Sequence, residues 1–450
     1  MTGRFSYDRN FYDKLGRLMA PIAVQTFLLA AVGASDAAML GRVSQEAMSG
    51  VFLATQVSFV HSLFMEALVF GATVLNAQYW GKGDRGTVQK VFCLILRYAF
   101  GISLLFTLAA AFVPETLMRI FTPEAALIKE GADYLRVVSL SYLLTGISQC
   151  YLCTMKTSDR AGRSAVISGF SVFVNIGLNA VLIFGLLGFP AMGARGAALA
   201  TVLTRALELV LVLSDSFQKH HIRPGLSGLL RPDPVLEKDF WHYGLPILAN
   251  EMVWGGATTV YSIIIGHLGA DATAANSIAG VVKNLAVCLC RGIGNGGGIL
   301  LGNVLGAGKL DLAKVYGRRL SILSIVCGIF TAALILLCSP FLISFMVLTE
   351  TAEHYLQMML IICAFNMIAV SVNVTVVVGI FNSGGDTRFD AVSVFFSMWL
   401  FSIPLALAAA FWWDWPVLVV YLILSLDEVV RLPWVYRHYK KYKWIHNLTR

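Results

Sequence analysis

The sequence predicts an all-α membrane protein with twelve transmembrane helices, which form two six-helix lobes related by an internal repeat. Hydrophobic residues make up 57% of the 450 residues, only 13% are charged, and one set of motifs occurs twice at a constant spacing. A soluble domain carries about 25% charged residues, and its limited interior cannot bury so large an apolar fraction. We therefore expect the chain to cross a membrane many times.

Apolar runs bounded by charged residues, Gly and Pro predict the individual spans. Backbone groups in lipid must find their hydrogen bonds within the protein, so long apolar runs without strict alternation predict helices rather than a barrel. The approximate limits of the twelve spans are 15–40, 50–79, 89–113, 131–154, 164–187, 194–215, 240–266, 276–304, 316–339, 353–380, 389–411 and 416–436.

The basic residues predict the orientation of the chain. Most of the 34 Lys and Arg residues fall in segments that share one side of the membrane with the N-terminus, and the opposite loops hold only Arg42, Arg119, Lys129 and Arg195. Cytoplasmic loops are enriched in Lys and Arg, so we expect both termini in the cytoplasm and the protein in the plasma (inner) membrane. This distribution explains the net charge of +8 without nucleic acid. We expect a monomer with the lipid bilayer and a small organic molecule as partners.

An internal repeat divides the chain. Pro21 recurs as Pro246, Gly81 as Gly306 and Ser158 as Ser383, so the repeat offset in the numbering is 225. The offset falls to 221 in the fourth and tenth spans, where Tyr134 corresponds to Tyr355. We predict an N-lobe (1–215), a cytoplasmic linker (216–239) and a C-lobe with a basic cytoplasmic tail (240–450). Each half has an even number of spans, so both share one orientation, as in transporters whose lobes rock about a central site.

Polar residues in the first lobe are candidates for a cation site. Asp36 lies in the first span, and a carboxylate at membrane depth costs at least about 2.5–3.5 kcal/mol. Asn175 and Asn179 are spaced i, i+4 and share a helix face, and Thr201 lies in the sixth span. These oxygens suit Na⁺, or a protonatable carboxylate with hydrogen-bond partners. The alternative is that the amides only join helices, at about 0.6 kcal/mol per hydrogen bond.

Over essentially its whole length the chain resembles the multidrug and toxic compound extrusion (MATE) transporters. The matching motifs are Pro21 with Gln25 and Asp36, Gln78-Tyr79-Trp80-Gly81-Lys82-Gly83-Asp84, and Asn175 with Asn179 before Gly185. The resemblance implies a cation-coupling site of Asp36, Asn175, Asn179 and Thr201, with Asp36, Asn175 and Asn179 as metal ligands if the ion is Na⁺.

The resemblance further implies that no cofactor is needed and that Na⁺ or H⁺ is the coupling ion. Export of lipophilic, often cationic, compounds would proceed by alternating access. Two positions depart from the family pattern. Asn179 stands where some relatives carry Asp, and Trp254 stands where some carry Glu, with Glu251 one turn earlier.

Further polar residues are candidates for the cleft or substrate: Gln25, Glu66, Asn250, Glu251, Lys283 and Arg291. Glu66 and Arg291 are repeat equivalents of opposite sign. They pair either across the central cleft, as the resembled fold allows, or each within its own lobe. Two other sets, Arg205 with Glu208 and Asp427 with Arg431, have the spacing of local helix pairs. The glycines from Gly292 to Gly298 predict close helix packing rather than a phosphate loop.

Two other functions stay open. A flippase for lipid-linked precursors, from the same superfamily, would use a basic cavity, to which Lys283 and Arg291 contribute. A membrane-embedded transferase would need clustered His, Asp or Cys, whereas the eight His residues are scattered and Cys150-x-x-Cys153 has no accompanying ligands. We therefore expect a transporter and not an enzyme, without a metal centre of the Cys/His type.

Overall fold

A computed structural model describes residues 2–40, 42–43, 45–218, 221–231, 233–344 and 348–449 of the chain. Positions 219, 220 and 232 of the predicted linker lie outside these residues. The described residues form helices joined by turns, without a strand among them. The predicted all-α membrane fold is confirmed.

The first half forms eight helices within the described residues. They are α1 (Thr2–Leu40), α2 (Gln45–Lys82), α3 (Arg85–Phe112), α4 (Pro114–Phe121), α5 (Ala125–Thr157), α6 (Ala161–Phe184), α7 (Gly193–Ser216) and α8 (Leu226–Leu230). Short local signals set several of these bounds. Asp84 caps α3 by accepting hydrogen bonds from the backbone N–H of Thr87, at 3.0 Å, and from its hydroxyl. Gly185 ends α6 in the left-handed conformation, with φ 72°.

The second half contains α9 (Pro234–His267), α10 (Ala270–Gly306), α11 (Leu310–Ser344), α12 (Glu350–Asn373), α13 (Thr387–Val394), α14 (Ile403–Phe411) and α15 (Val417–Tyr439). Two wide-turned π-helical segments interrupt this half. Val374–Phe381 continues α12, and Phe395–Ser402 joins α13 to α14. Such segments are rare and occur frequently at functional sites.

The twelve predicted spans correspond to α1–α3, α5–α7, α9–α12, the continuous stretch from α13 to α14, and α15, while α4 and α8 lie in connections. Ten helical stretches in the described part of the chain are long and apolar enough to cross a membrane. The two further long helices, α9 and α15, are more polar: α9 contains Asn250 and Glu251, and α15 contains Asp427, Glu428 and Arg431. The seventh helix of the prediction begins at Pro234 rather than at 240.

The chain divides into two compact units. Unit 1 comprises Met1–Phe27, Ala77–Gly83 and His242–Arg450, and unit 2 comprises Leu28–Asn76 and Asp84–Trp241. The boundaries fall inside α1, α2 and α9. The division into lobes at the linker, which the repeat predicts, stays a prediction.

Within unit 1, the glycines of α10 allow other helices to approach its backbone. A Cβ at Gly292 would lie 2.6 Å from that of Ala23, and one at Gly296 would lie 2.9 Å from the backbone nitrogen of Met19. On another face, a Cβ at Gly294 would lie 2.8 Å from the carbonyl oxygen of Val374 in the first π-helical segment. The prediction that this glycine run serves close packing is confirmed.

Within unit 2, the linker packs against α3. Gln89 donates to the carbonyl of Arg223 at 2.7 Å, and Lys90 forms an ion pair with Asp233 at 3.1 Å. Asp233 also accepts from the N–H groups of the two residues after Pro234, at 3.2 and 3.3 Å, and so caps α9. The Lys90 side chain beside Asp233 lowers the pKa of that carboxyl group.

Candidate functional site

Helices α6 and α7 of unit 2 form a close-packed pair that carries three of the residues predicted for the cation site: Asn175, Asn179 and Thr201. Asn175 and Asn179 lie one turn apart on α6, and both are buried, at 5% and 0% exposure. Gly196 of α7 packs on the backbone of α6, because a Cβ at this position would lie 2.6 Å from the carbonyl oxygen of Leu182. This approach brings the polar face of α7 within reach of the two amides.

Asp36 of α1 joins this pair through Asn179. The Asn179 Nδ2 donates to Asp36 Oδ1 at 2.5 Å and to Asn175 Oδ1 at 3.2 Å. Hydrogen bonds to an ionised carboxylate are shorter and stronger than neutral ones. The structure therefore brings together three of the four residues predicted for the cation site.

Thr204, rather than Thr201, continues the hydrogen-bonded chain. Asn175 Nδ2 donates to Thr204 Oγ1 at 3.5 Å, and the Thr204 hydroxyl donates to the Ala200 carbonyl at 2.7 Å. The Thr201 hydroxyl donates to the Ala197 carbonyl of its own helix at 3.0 Å. Sequence reasoning missed Thr204, although its spacing of i, i+4 with Glu208 places both on the face toward α6.

The site offers acceptors to a cation. Asn179 Oδ1 is buried and has no hydrogen-bond partner among the described residues. It belongs to the same amide that donates to Asp36, so it lies beside the carboxylate. A buried acceptor without a partner costs free energy, typically about 1–3 kcal/mol. Carboxylate, amide and hydroxyl oxygens are the ligands that hard cations prefer, so these residues fit either Na⁺ or a proton on Asp36.

A second polar contact lies further along the same two helices. Arg205 Nη1 and Glu208 Oε2 are 2.8 Å apart, which confirms the predicted local pair. Glu208 also accepts from the Ser168 hydroxyl of α6 at 3.3 Å. Glu208 is 1% exposed, so a buried carboxylate with partners on two helices lies near the predicted site. Sequence reasoning treated this residue only as one member of a local helix pair.

Unit 1 holds a separate buried cluster that the sequence did not predict. Arg431 of α15 bonds Asp390 of α13 at 3.2 Å and lies 3.6 Å from Glu428. Asn373, the last residue of α12 before its π-helical segment, donates to Glu428 Oε2 at 2.6 Å. Asp427 accepts from Tyr261 at 3.2 Å. Arg431 also lies within electrostatic range of Asp427, so the predicted local interaction of Asp427 with Arg431 is one of several in this cluster.

The cleft candidates fall in both units. Gln25, Asn250, Glu251, Lys283 and Arg291 belong to unit 1, and Glu66 belongs to unit 2. Gln25 and Asn250 are buried, and Asn250 Oδ1 has no partner among the described residues. Lys283 lies within electrostatic range of Asp427, and Glu66 within that of Lys156. Their roles at a substrate, and a Glu66–Arg291 pair, stay predictions.

Comparison with known proteins agrees with the repeat. A family model named MatE matches residues 21–181 and again residues 246–408. The second match begins at Pro246, the repeat equivalent of Pro21, where the first match begins. The repeat is therefore also a repeat of the family pattern.

Relatives match over nearly the whole chain. A probable multidrug resistance protein NorM of Thermotoga maritima is 25% identical over 95% of this chain and 94% of its own length. An uncharacterised transporter YisQ of Bacillus subtilis is 22% identical over 97% of this chain and 96% of its own.

Solved structures share the fold. The Vibrio cholerae MATE transporter VcmN covers 97% of this chain and 98% of its own at a TM-score of 0.88, with 13% identity. A MOP superfamily transporter from Pyrococcus furiosus covers 96% of both chains at a TM-score of 0.87, with 15% identity. At these identities the likeness concerns the fold alone.

Proposed function

The chain belongs to the MatE family of transporters, and from this premise we propose that it is a cation-coupled secondary antiporter that exports lipophilic or cationic organic compounds. It is a multi-pass membrane transporter rather than an enzyme. The export of drugs is proposed because relatives that match almost the whole chain are named as probable multidrug resistance proteins.

The observation that carries the coupling proposal is the bond between Asn179 and Asp36. It joins α1 to α6 through the Asp36 carboxyl group, with 2.5 Å between the amide nitrogen and the carboxyl oxygen. A cation on Asp36, either Na⁺ or H⁺, neutralises the charge that makes this bond strong. A proton on Asp36 therefore weakens this contact between the two helices, whereas a Na⁺ ion bound by Asp36 and Asn179 replaces the hydrogen bond with shared coordination, so either ion changes how α1 packs against α6.

Alternating access follows from the same change. A ligand shifts a conformational equilibrium only by its different affinity for the two states. In the proposed cycle, the cation stabilises one arrangement of the helices around Asp36 and the organic compound stabilises the other. We further propose that the protein acts as a monomer in the plasma (inner) membrane, with both termini in the cytoplasm, because its basic residues concentrate on that side.

Ethidium efflux from proteoliposomes tests the proposal, with a Na⁺ gradient or a pH gradient imposed alone. The Asp36→Asn variant should remain folded and lose gradient-driven efflux, since it cannot carry the neutralising cation. Asp311→Asn is the matched control, because this carboxylate is fully exposed and pairs only locally with Lys314 in the described structure. Wild-type efflux by Asp36→Asn would refute the coupling role.

The gradient that drives efflux assigns the ion. Efflux under Na⁺ alone makes Asp36, Asn175 and Asn179 metal ligands. Efflux under the pH gradient alone makes Asp36 the proton carrier and the amides its hydrogen-bond partners. If neither gradient drives efflux, while labelled lipid-linked precursors cross the membrane, the flippase function replaces the proposal.

A further inference from the structure

The segment that follows α15, residues 440–449, is packed onto unit 1, and we name it the strap. Trp444 at its centre is 0% exposed and donates from Nε1 to the Tyr439 carbonyl at 3.3 Å. Its ring occupies the space beside Gly317 of α11, where a Cβ would lie 2.6 Å from the ring. The strap also covers the loop after α12, because its backbone at Trp444 fills the space where a side chain of Gly384 would lie.

A single side chain of α2 holds the strap. Gln78 is 0% exposed, and its Nε2 donates to the Ser383 carbonyl at 2.7 Å and to the His446 carbonyl at 3.1 Å. Its Oε1 accepts from the Leu448 N–H at 2.6 Å. The amide group thus joins the end of α2, the loop after α12 and the strap.

The strap also contacts the end of α10 where that helix crosses α2. Gly81 packs on the backbone of Asn303, and Gly306 packs on the backbone of Gln78. Asn303 and Gly306 are the repeat equivalents of Gln78 and Gly81, so the two contacts are equivalent by the repeat. Asn447 of the strap donates to the Gly306 carbonyl at 3.5 Å. The strap therefore touches both helices at their crossing.

The strap breaks the symmetry of this crossing. Asn303 is the repeat equivalent of Gln78, yet its Oδ1 is buried without a hydrogen-bond partner among the described residues. The family model matches residues 21–181 and 246–408, so the strap lies outside the matched residues. Gln78, which holds the strap, lies within the matched residues.

We propose that the strap is a latch that holds the ends of α2 and α10 together and must loosen before these ends separate. The latch rests on the proposed alternating access, in which opening on this side parts the two helices. Gln78 is the positioning residue of the latch, because its buried side-chain amide bonds the carbonyls of Ser383 and His446 and the N–H group of Leu448. Loosening the strap shifts the equilibrium toward separated helix ends.

Hydrogen exchange of the wild-type protein and two variants tests the latch, without any substrate or ion gradient. Gln78→Ala removes three hydrogen bonds. Truncation after Trp444 removes two of them, those to His446 and Leu448, and also the bond from Asn447 to Gly306, while it leaves the buried ring and the bond to Ser383. Each hydrogen bond shifts the equilibrium between the closed and the open, exchange-competent state by about tenfold or less. We therefore expect the backbone amides of residues 78–83 and 303–309 to exchange about 10- to 100-fold faster in either variant. The double variant should exchange more slowly than the product of the two single effects would give, because both changes remove the bonds to His446 and Leu448.

Asn303→Ala is the matched control, since it deletes an amide at the equivalent position without touching the strap, and we expect it to leave strap exchange unchanged. Faster exchange in the strap alone, with the ends of α2 and α10 unchanged, would overturn the proposal. Unprotected exchange of Leu448 in the wild-type protein would overturn it too. Because no transport is measured, these outcomes stand even if ethidium is not exported.

Discussion

Replacing Asn179 with Ala distinguishes the two coupling ions. The substitution removes the hydrogen bond that Asp36 accepts at 2.5 Å and the buried Oδ1 beside it. A hydrogen bond to a charged group contributes about 1.5–3 kcal/mol, and each 1.4 kcal/mol is a factor of ten in affinity. The loss therefore corresponds to about one to two orders of magnitude in cation binding at Asp36.

The direction of the change depends on the ion. If Na⁺ is the coupling ion, the variant lacks a ligand, and the Na⁺ concentration for half-maximal efflux rises by about 10- to 100-fold. If the ion is H⁺, the variant lacks the donor that favours the charged carboxylate. The proton then binds more tightly, and the pH of half-maximal efflux rises by about one to two units.

Proteoliposome efflux over a series of Na⁺ concentrations and of pH values measures both quantities. Thermal unfolding in detergent and the amount of reconstituted protein show whether the variant is folded. Thr201→Val is the control, because its hydroxyl bonds only to its own helix in the described structure. A folded Asn179→Ala protein with wild-type Na⁺ and pH dependence would show that the amide does not act on Asp36.

Three other variants test separate contacts. Thr204→Val should raise the concentration of coupling ion needed for half-maximal efflux by about two- to tenfold, as expected for the loss of one neutral hydrogen bond. Thr201→Val should leave that concentration within about twofold of the wild-type value. Efflux measured over a series of ion concentrations would show both. Arg431→Met leaves Asp390 buried without its cation, so unfolding in detergent should become easier by about 3–5 kcal/mol, and adding Asp390→Asn should restore part of this. Asp233→Asn should cost less than about 1 kcal/mol at pH 7, because the ion pair is exposed. The pKa of Asp233 is lowered in the folded protein. The difference in free energy of unfolding between the wild type and the variant should therefore be present above the ordinary carboxyl pKa of about 4 and be lost as the pH falls below it. Unfolding curves measured across pH would show this.

The sequence predicted the features that depend on local pattern. Long apolar runs fixed the number and approximate limits of the helices, because backbone groups in lipid allow few alternatives. The spacing of Asn175 and Asn179 correctly placed both amides on one face of α6, and they bond each other in the structure. The Gly292–Gly298 run likewise indicated close packing, which depends only on the absence of side chains.

Features that depend on the rotation of one helix against another were less predictable. Thr201 and Thr204 lie three residues apart, so a modest rotation of α7 decides which one faces Asn175, and only the packed structure supplies it. Arg431 has carboxylates within its own helix and lies 3.6 Å from that of Glu428, but it also bonds Asp390 of α13, a partner that spacing along one helix could not reveal. Sequence spacing indicates which partners are possible, and tertiary packing chooses among them.

The slip of the repeat offset has a structural counterpart. The offset is 221 between Tyr134 and Tyr355 but 225 between Ser158 and Ser383, so the second half holds four more residues between these landmarks. The π-helical segment Val374–Phe381 lies in that interval. Its turns hold more residues than those of an α-helix, so it takes up part of the insertion without breaking the span. Sequence comparison located the insertion but did not show its form.

The two halves differ at the position of the proposed coupling carboxylate. The repeat equivalent of Asp36 is Tyr261, and each bonds a side chain on another helix of its own unit. Asp36 accepts from a neutral amide and forms no ion pair within the described residues, whereas in the other cluster Asp390 and Glu428 are partnered by Arg431. A carboxylate already neutralised by arginine has little free energy to gain from a second cation, while one held by amides has much. Under the proposed function, the arginine holds the carboxylates of unit 1 in ion pairs that stabilise the fold, whereas the Asp36 carboxyl group is held by an amide and is available to the coupling ion.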